Sequence, residues 1–420
     1  MEVYEIRPPA VYLHERALAT PERRARVERM LANVHCEQEP EIVDDERLAE
    51  LSVERDWRMA GRRTGQLHLT GDPDLIFNAF TWEEPDILAQ RRSRYPSLAF
   101  CMLDGGGAWT FRRGRDYYGA RGTVCQNAWE IHSAWGCLHR CDYCHIGRFL
   151  NIMVNLEEFA ERLPGLMADN PWLKLFKYDN QTDTITFEPE YGASELLVPL
   201  FAATEDRYLM LYTKSDNVDH LVGLEHGGHT IVSFTISAQT AATQIEKATP
   251  DLPRRVRALA TIEQAGYVPR VRFSPIIPVR DWREENEDMI RQVLEAAEPD
   301  LITMDLLGWM NPGAMEEILD VSLLDPRFLD GMRKLYREGA PGPQYWPTSK
   351  HIFPHELRAE VYYFFLDRIE AYGLRTRVSL CNETVEMWEE FGPRLGMEPE
   401  RYVCGCGPDS VPGNLLLARR

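Results

Sequence analysis

From about residue 127 the chain alternates between two rhythms. Short β-branched and aromatic runs recur: WEIHSAW (129–135), TITF (184–187), YLMLYT (208–213), TIVSFTI (230–236), VRFSPII (271–277) and LITMDLL (301–307). Between several of them lie NLEEFAERLPGLM, LPRRVRALATIEQAG and REENEDMIRQVLEAA, whose apolar residues repeat at three- and four-residue spacing. Strands that alternate with helices need crossover connections, so they read as a parallel sheet with helices packed on it. Six such units predict an α/β fold centred on a partial (β/α)6 TIM-like barrel over residues 127–310. Residues 1–126 then form an N-terminal α/β extension and residues 311–420 a C-terminal, cysteine-containing extension. Barrels of this kind keep their functional loops at the C-terminal ends of the strands.

Local signals support the flanks. Thr20, Pro21 and the following ERRARVERML read as an N-cap, a proline at the first helical position and an amphipathic helix. Downstream, HELRAEVYYFFLDRIEAYG reads as a helix, RTRVSLC as one further strand, and Asn382 as the N-cap of ETVEMWEEFG. The N-terminus shows no basic segment leading into an apolar one, and the most apolar stretch, ASELLVPLFAA, is too short to span a bilayer. A cytoplasmic protein with no membrane association is therefore expected, with reduced thiols available as metal ligands.

Immediately after the first strand comes GCLHRCDYCHIG, which places Cys137, Cys141 and Cys144 on one loop in the pattern C-x3-C-x2-C. A closed tetrahedral zinc site wants four ligands, and the loop offers three thiols with no close fourth. Three thiolates on a four-iron cluster leave one iron without a protein ligand, which is how a catalytic metal keeps a position for substrate.

The loop resembles the signature of the radical S-adenosylmethionine (SAM) superfamily, with Tyr143 as its aromatic residue. That resemblance implies a [4Fe-4S] cluster on Cys137, Cys141 and Cys144 whose open iron chelates SAM. It further implies one-electron cleavage to a 5′-deoxyadenosyl radical that abstracts hydrogen from an organic substrate, with a reductant such as flavodoxin or ferredoxin. Over about residues 128–300 the chain is similar to the spore photoproduct lyase family, which reverses a thymine dimer lesion in DNA. The stretches that carry the likeness are MVNLEEF, LYTKSDNVDHL, SFTIS and ATPDLPRRVRALATIEQAGYVPRVRFSPIIPVRDW. By position, Lys214 and Thr235 fall where that family contacts SAM, and Glu188 or Glu190 would meet the SAM ammonium. The family's hydrogen-donating cysteine follows the second strand, where this chain reads FEPEY, so Tyr191 stands in its place. The last cluster cysteine is flanked by Tyr143 and His145 rather than by two tyrosines. Tyr191 and Tyr143 are thus the catalytic candidates, and the expectation is a lyase-like enzyme with a different reaction. Dimer repair and a non-catalytic zinc protein are the alternatives.

Cys381, Cys404 and Cys406 form a second thiol group, the last two in the turn CGCGP. They suit an auxiliary iron–sulfur cluster, or a zinc ion with a further ligand such as histidine. Cys36, Cys101 and Cys125 stand alone and are assigned to packing. The stretch TFRRGRDYYGARG interleaves Arg112, Arg113, Arg115 and Arg121 with Phe111, Tyr117 and Tyr118, either a solvated loop or a phosphate- and base-binding one. His220, His226 and His229 read as surface histidines, and Trp309, Met310, Tyr345 and Trp346 as core or pocket-mouth residues. With 47 basic against 66 acidic residues, the net charge of −19 disfavours a long nucleic acid. A small-molecule or nucleotide substrate is the expected partner.

Overall fold

The structure is a computed structural model. It describes residues 6–57, 71–98, 100–103, 108–114, 122–144, 146, 148–337, 350–373 and 376–418. Two sheets organise them. The strands, in chain order, are β1 (Val11–His14), β2 (Glu41–Val43), β3 (Asp74–Asn78), β4 (Trp109–Arg112), β5 (Ala128–Ile131), β6 (Ala134–Trp135), β7 (Arg140–Cys141) and β8 (Phe149–Met153). They continue with β9 (Leu175–Tyr178), β10 (Tyr208–Thr213), β11 (Thr230–Thr235), β12 (Glu246–Lys247), β13 (Val268–Ile276), β14 (Leu301–Leu306) and β15 (Arg377–Leu380).

The larger sheet runs β15-β14-β13-β11-β10-β9-β5-β4. Every neighbour pair in it is parallel except β4 with β5, as crossover helices between successive strands require. Its central strands read as nearly continuous apolar runs because both faces are covered: β11 and β14 are buried throughout. The helix Leu252–Gln264 shows how a cover is specified. Asp251 caps it by accepting from the Arg254 amide, and Leu252, Val256, Leu259 and Ile262 line one buried face. Each such leucine contributes about 1.5–3 kcal/mol by leaving water.

The smaller sheet, β2-β1-β3-β8-β6, takes its last two strands from beyond residue 127, with β3 pairing parallel to β8. The N-terminal segment is thereby sewn to the stretch on either side of the cysteine loop. No helix among the described residues is long and apolar enough to cross a membrane.

Two local readings need correction. TITF is not a strand but a buried 3-10 turn, Thr184–Phe187, in which the Thr186 hydroxyl donates to the Asp183 carbonyl. Threonine hydroxyls that bond nearby backbone compete with a strand ladder. The strand in that place is β9, four residues with Lys177 in the middle. At the C-terminal end, the helix Val385–Leu395 is capped by Thr384, which accepts from the Met387 amide, and not by Asn382. The further strand read in RTRVSLC is present as β15.

The inner face of the larger sheet is polar. Along β13, Arg270, Arg272 and Ser274 alternate with Val271 and Phe273, the latter packed against Phe365. The C-terminal segment lies across this inner face. Arg270 donates to the carbonyls of Gly405 and Ser410, Ser379 to that of Val403, and Gln126 to that of Tyr402.

Candidate active site

The cysteine loop leaves β6 through Gly136, whose φ of +103° and whose place against the chain both demand glycine: a Cβ there would sit 2.0 Å from the Phe149 carbonyl oxygen. The loop is then held from below. β7 pairs antiparallel with β12, so Cys141 lies opposite Glu246. The Cys144 amide donates to the Cys141 carbonyl at 2.9 Å, and His139 bridges the Ala248 carbonyl and the Asp183 carboxylate. Cys141 is buried, while Cys137 and Cys144 are half-buried.

Glu246 is the hub beneath the loop. It accepts from Tyr143 at 2.5 Å and Ser237 at 3.0 Å, and pairs with Arg255 at 2.7 Å and Lys214 at 3.7 Å. Burial alone would raise its carboxyl, but Lys214 and Arg255 outweigh it and hold it down at about 2. The Tyr143 ring is thus fixed beside Cys144 by a carboxylate that stays ionised.

Above the loop opens a cavity of about 390 Å³, within the range of small-molecule sites. Tyr143, Cys144 and Lys214 line it together with Glu130, Lys177, Tyr212, Arg272 and Asp305 from the parallel strands, and Cys381 and Cys406 line it too. Asn180, Gln181 and Trp309 sit on loops that follow strand C-terminal ends, where α/β folds bind ligands. The lining carries Arg112, Lys177, Lys214 and Arg272 against Glu130 and Asp305. A cation-rich cavity inside a chain of net charge −19 favours a ligand with anionic groups. Tyr212 lies between two of these cations, with Lys177 4.7 Å and Arg272 4.6 Å from its ring centre. Burial would raise the Glu130 carboxyl, yet Lys177 at 3.4 Å and Arg112 at 3.6 Å bring it to about 2.

The residues expected from the sequence divide. Tyr143, Cys144 and Lys214 face the cavity, and Cys137 and Cys141 stand on the same loop. Thr235 ends β11 fully buried, its hydroxyl without a hydrogen-bond partner, and does not line the cavity. Glu188 accepts from the amides of Gly192 and Ser194, and Glu190 accepts from Asn33; neither reaches the cavity. Tyr191 is a core residue whose hydroxyl meets the Ser133 and Met153 carbonyls at 3.0 and 2.8 Å. Of the arginine-aromatic stretch, Arg112 reaches the cavity and Arg113 is exposed, while residues 115–121 lie outside the described residues, as do His145, Tyr345 and Trp346. His226 stacks on Tyr267, His229 on Tyr208, and His220 meets Ser194, so the three histidines are packed separately. Trp309 lines the cavity and Met310 is core. The sequence reading missed Lys177, Arg272, Glu130 and Asp305; the R-x-R-x-S alternation of β13 was the available signal, since period two puts those side chains on one face.

Three thiols on one loop, with a fixed aromatic ring and a lysine beside them, suit an iron–sulfur cluster with one iron left for a small ligand. Among the described residues no three His, Cys, Asp or Glu side chains converge on a point that a single metal ion could occupy.

Parallel strands, a three-thiol loop after the first of them, and a cavity opening at that loop are the arrangement a radical SAM enzyme needs. Residues 125–309 match the family model described as spore photoproduct lyase. The spore photoproduct lyase of Clostridium acetobutylicum is 20% identical over 245 residues, covering 56% of this chain and 71% of that protein. That of a Geobacillus species is 22% identical over 189 residues, covering 43% and 55% respectively. A solved double mutant of spore photoproduct lyase with bound AdoMet and dinucleoside spore photoproduct superposes with a TM-score of 0.57 at 16% identity, over 90% of this chain and 99% of that one. A second solved structure, complexed with dinucleoside spore photoproduct, gives 0.54 at 15% identity. Over residues 125–309 the chain is thus similar to spore photoproduct lyases, and the fold is that of their solved structures.

Proposed function

We propose that the cavity holds SAM beside the three-cysteine loop and an organic substrate with anionic or strongly polar groups against Lys177, Arg272 and Tyr212. When bound, a [4Fe-4S] cluster on Cys137, Cys141 and Cys144 supplies the electron for reductive cleavage of SAM and so for hydrogen abstraction from the substrate. In this reading the larger sheet curves into a partial barrel carried by residues 127–310, with residues 1–126 as an extension and residues 311–420 supplying an auxiliary metal site at Cys381, Cys404 and Cys406. Lys214 meets the SAM carboxylate, and Glu246 keeps Lys214 charged and Tyr143 in place. The inner-face residues and the C-terminal segment keep water from the reacting atoms. Electrons come from a flavodoxin- or ferredoxin-type donor.

The observation that carries the proposal is a cavity lined by Tyr143 and Cys144 together with four cationic side chains, Arg112, Lys177, Lys214 and Arg272. Dimer repair is the second reading, favoured by the names of the relatives and of the solved structures. Against it stands the sequence likeness, which sets Tyr191 at the position of the family's hydrogen-donating cysteine; here Tyr191 is buried with its hydroxyl bonded to backbone carbonyls. The reconstituted protein, given SAM, a reductant and dinucleoside spore photoproduct, decides between them. 5′-Deoxyadenosine without repaired dinucleotide supports a different substrate; stoichiometric repaired dinucleotide establishes the lyase reaction.

A further inference from the structure

Cys125 stands alone in the sequence but not in the fold. Its segment is tied to the C-terminal part of the chain by the Val124 amide, which donates to the Glu383 carbonyl at 2.7 Å, and by Gln126, which donates to the Tyr402 carbonyl and meets the Cys404 thiol at 3.2 Å. Cys381 follows β15, with its amide donating to the Met304 carbonyl. The Cys404 and Cys406 thiols lie beside each other, and Cys125 and Cys381 lie within electrostatic reach of both Cys404 and Tyr402. Gly405 and Gly407 give the turn its room: a Cβ on Gly407 would meet Gln126 at 1.9 Å.

Two guanidinium groups, that of Arg112 half-buried and that of Arg272 buried, face this cluster. Arg112 straddles it, donating to Cys125 Sγ at 3.0 Å and to Cys406 Sγ at 2.9 Å. Arg272 is 7% exposed, has no carboxylate within 4 Å among the described residues, and leaves its Nε without a hydrogen-bond partner, while Cys381 and Cys406 are among its neighbours. A buried cation is costly unless anions balance it, and Asp305, bridged to Arg272 by Ser274, supplies only part of that balance for two guanidinium groups. Thiolates bound to a metal would add to it, and N–H donors to thiolate sulfur are the usual outer contacts of iron–sulfur centres.

We infer that Cys125, Cys381, Cys404 and Cys406 form one four-thiolate metal centre beside the cavity that Cys381, Cys406 and Cys144 line. This deepens the auxiliary site proposed above by completing its ligand set within the protein. The centre therefore has no open position for substrate; it fixes the C-terminal segment across the sheet and sets the charge around Arg112 and Arg272. Its metal group is an iron–sulfur cluster rather than a single ion, since no three of these thiols converge on one point.

The test uses the full chain with Cys137, Cys141 and Cys144 all changed to alanine, so that the first cluster and its chemistry play no part. This parent is reconstituted anaerobically with iron and sulfide, and separately with zinc, and its metal is counted. One full centre per chain is expected, lost on Cys125→Ser and retained on Cys36→Ser, with circular dichroism confirming the fold of each. Iron with sulfide bound in a Cys125-dependent way supports the inference, and the sulfur-to-iron absorption of the cluster, lost on Cys125→Ser, gives a second reading. A parent that holds no iron and sulfide, full retention in Cys125→Ser, or a single zinc ion bound in place of a cluster overturns it.

Discussion

Replacing Glu246 with glutamine removes the one carboxylate that Lys214 and Arg255 share beneath the cysteine loop. Glutamine keeps the shape and can still accept from Tyr143, so the change is chiefly one of charge. Two routes give its size. The carboxyl is held at about 2 against an ordinary 4.5, and at 1.36 kcal/mol per pH unit that difference is worth about 3 kcal/mol. Deleting one partner of a buried ion pair costs about 3–5 kcal/mol, because the remaining charge stays buried. The sign follows from the lowered value: this stability is present above pH 4.5 and drains away as pH falls toward 2. Glu130 and Glu383, also held at about 2, lose theirs in the same window, so wild type should be markedly acid-labile there. Urea unfolding of apo wild type and Glu246→Gln at pH 7, repeated at steps down to pH 3, isolates Glu246 as the difference. The expected gap is about 3 kcal/mol at pH 7, shrinking as pH falls. A gap below about 1 kcal/mol at pH 7, the size of an exposed pair, or one that does not narrow in acid, would refute the electrostatic account.

Gly136→Ala would force a Cβ onto the Phe149 carbonyl and strain a positive φ, so it should cost more than about 2 kcal/mol and reduce iron uptake, read by thermal melting and iron analysis. Lys214→Met should weaken SAM binding at least tenfold in calorimetric titration while leaving iron content unchanged, since Lys214 lines the cavity but offers no thiol. Thr384→Ala removes the cap of the helix Val385–Leu395 and should lower stability by about 1 kcal/mol in urea unfolding, whereas Asn382→Ala should leave that helix intact.

What could be read from the sequence followed the strength of local pattern. Long amphipathic segments such as Leu252–Gln264 and apolar strands such as β11 and β14 announce themselves, because burial dictates nearly every residue in them. The cysteine loop is equally visible, since its chemistry is packed into eight positions. β9 is hidden because four residues with a lysine at the third carry little periodicity, and Lys177 faces inward only because Glu130 and Tyr212 receive it. TITF misleads because β-branched residues suit a strand and a buried 3-10 turn alike. The smaller sheet's use of β6 and β8 is invisible for another reason: pairing between residues 74–78 and 149–153 is a long-range event with no local mark. Cys125 is the sharpest case, a lone cysteine whose neighbours come from residues 112, 381, 404 and 406 only after folding.

The most direct measurement is 5′-deoxyadenosine formed by the anaerobically reconstituted protein with SAM and a strong one-electron reductant, set beside Cys141→Ala. The nucleoside is expected from wild type and absent from the variant, with the loss tracking the missing cluster. Zinc in place of iron in wild type, with SAM left intact, would contradict the assignment of radical chemistry to this loop.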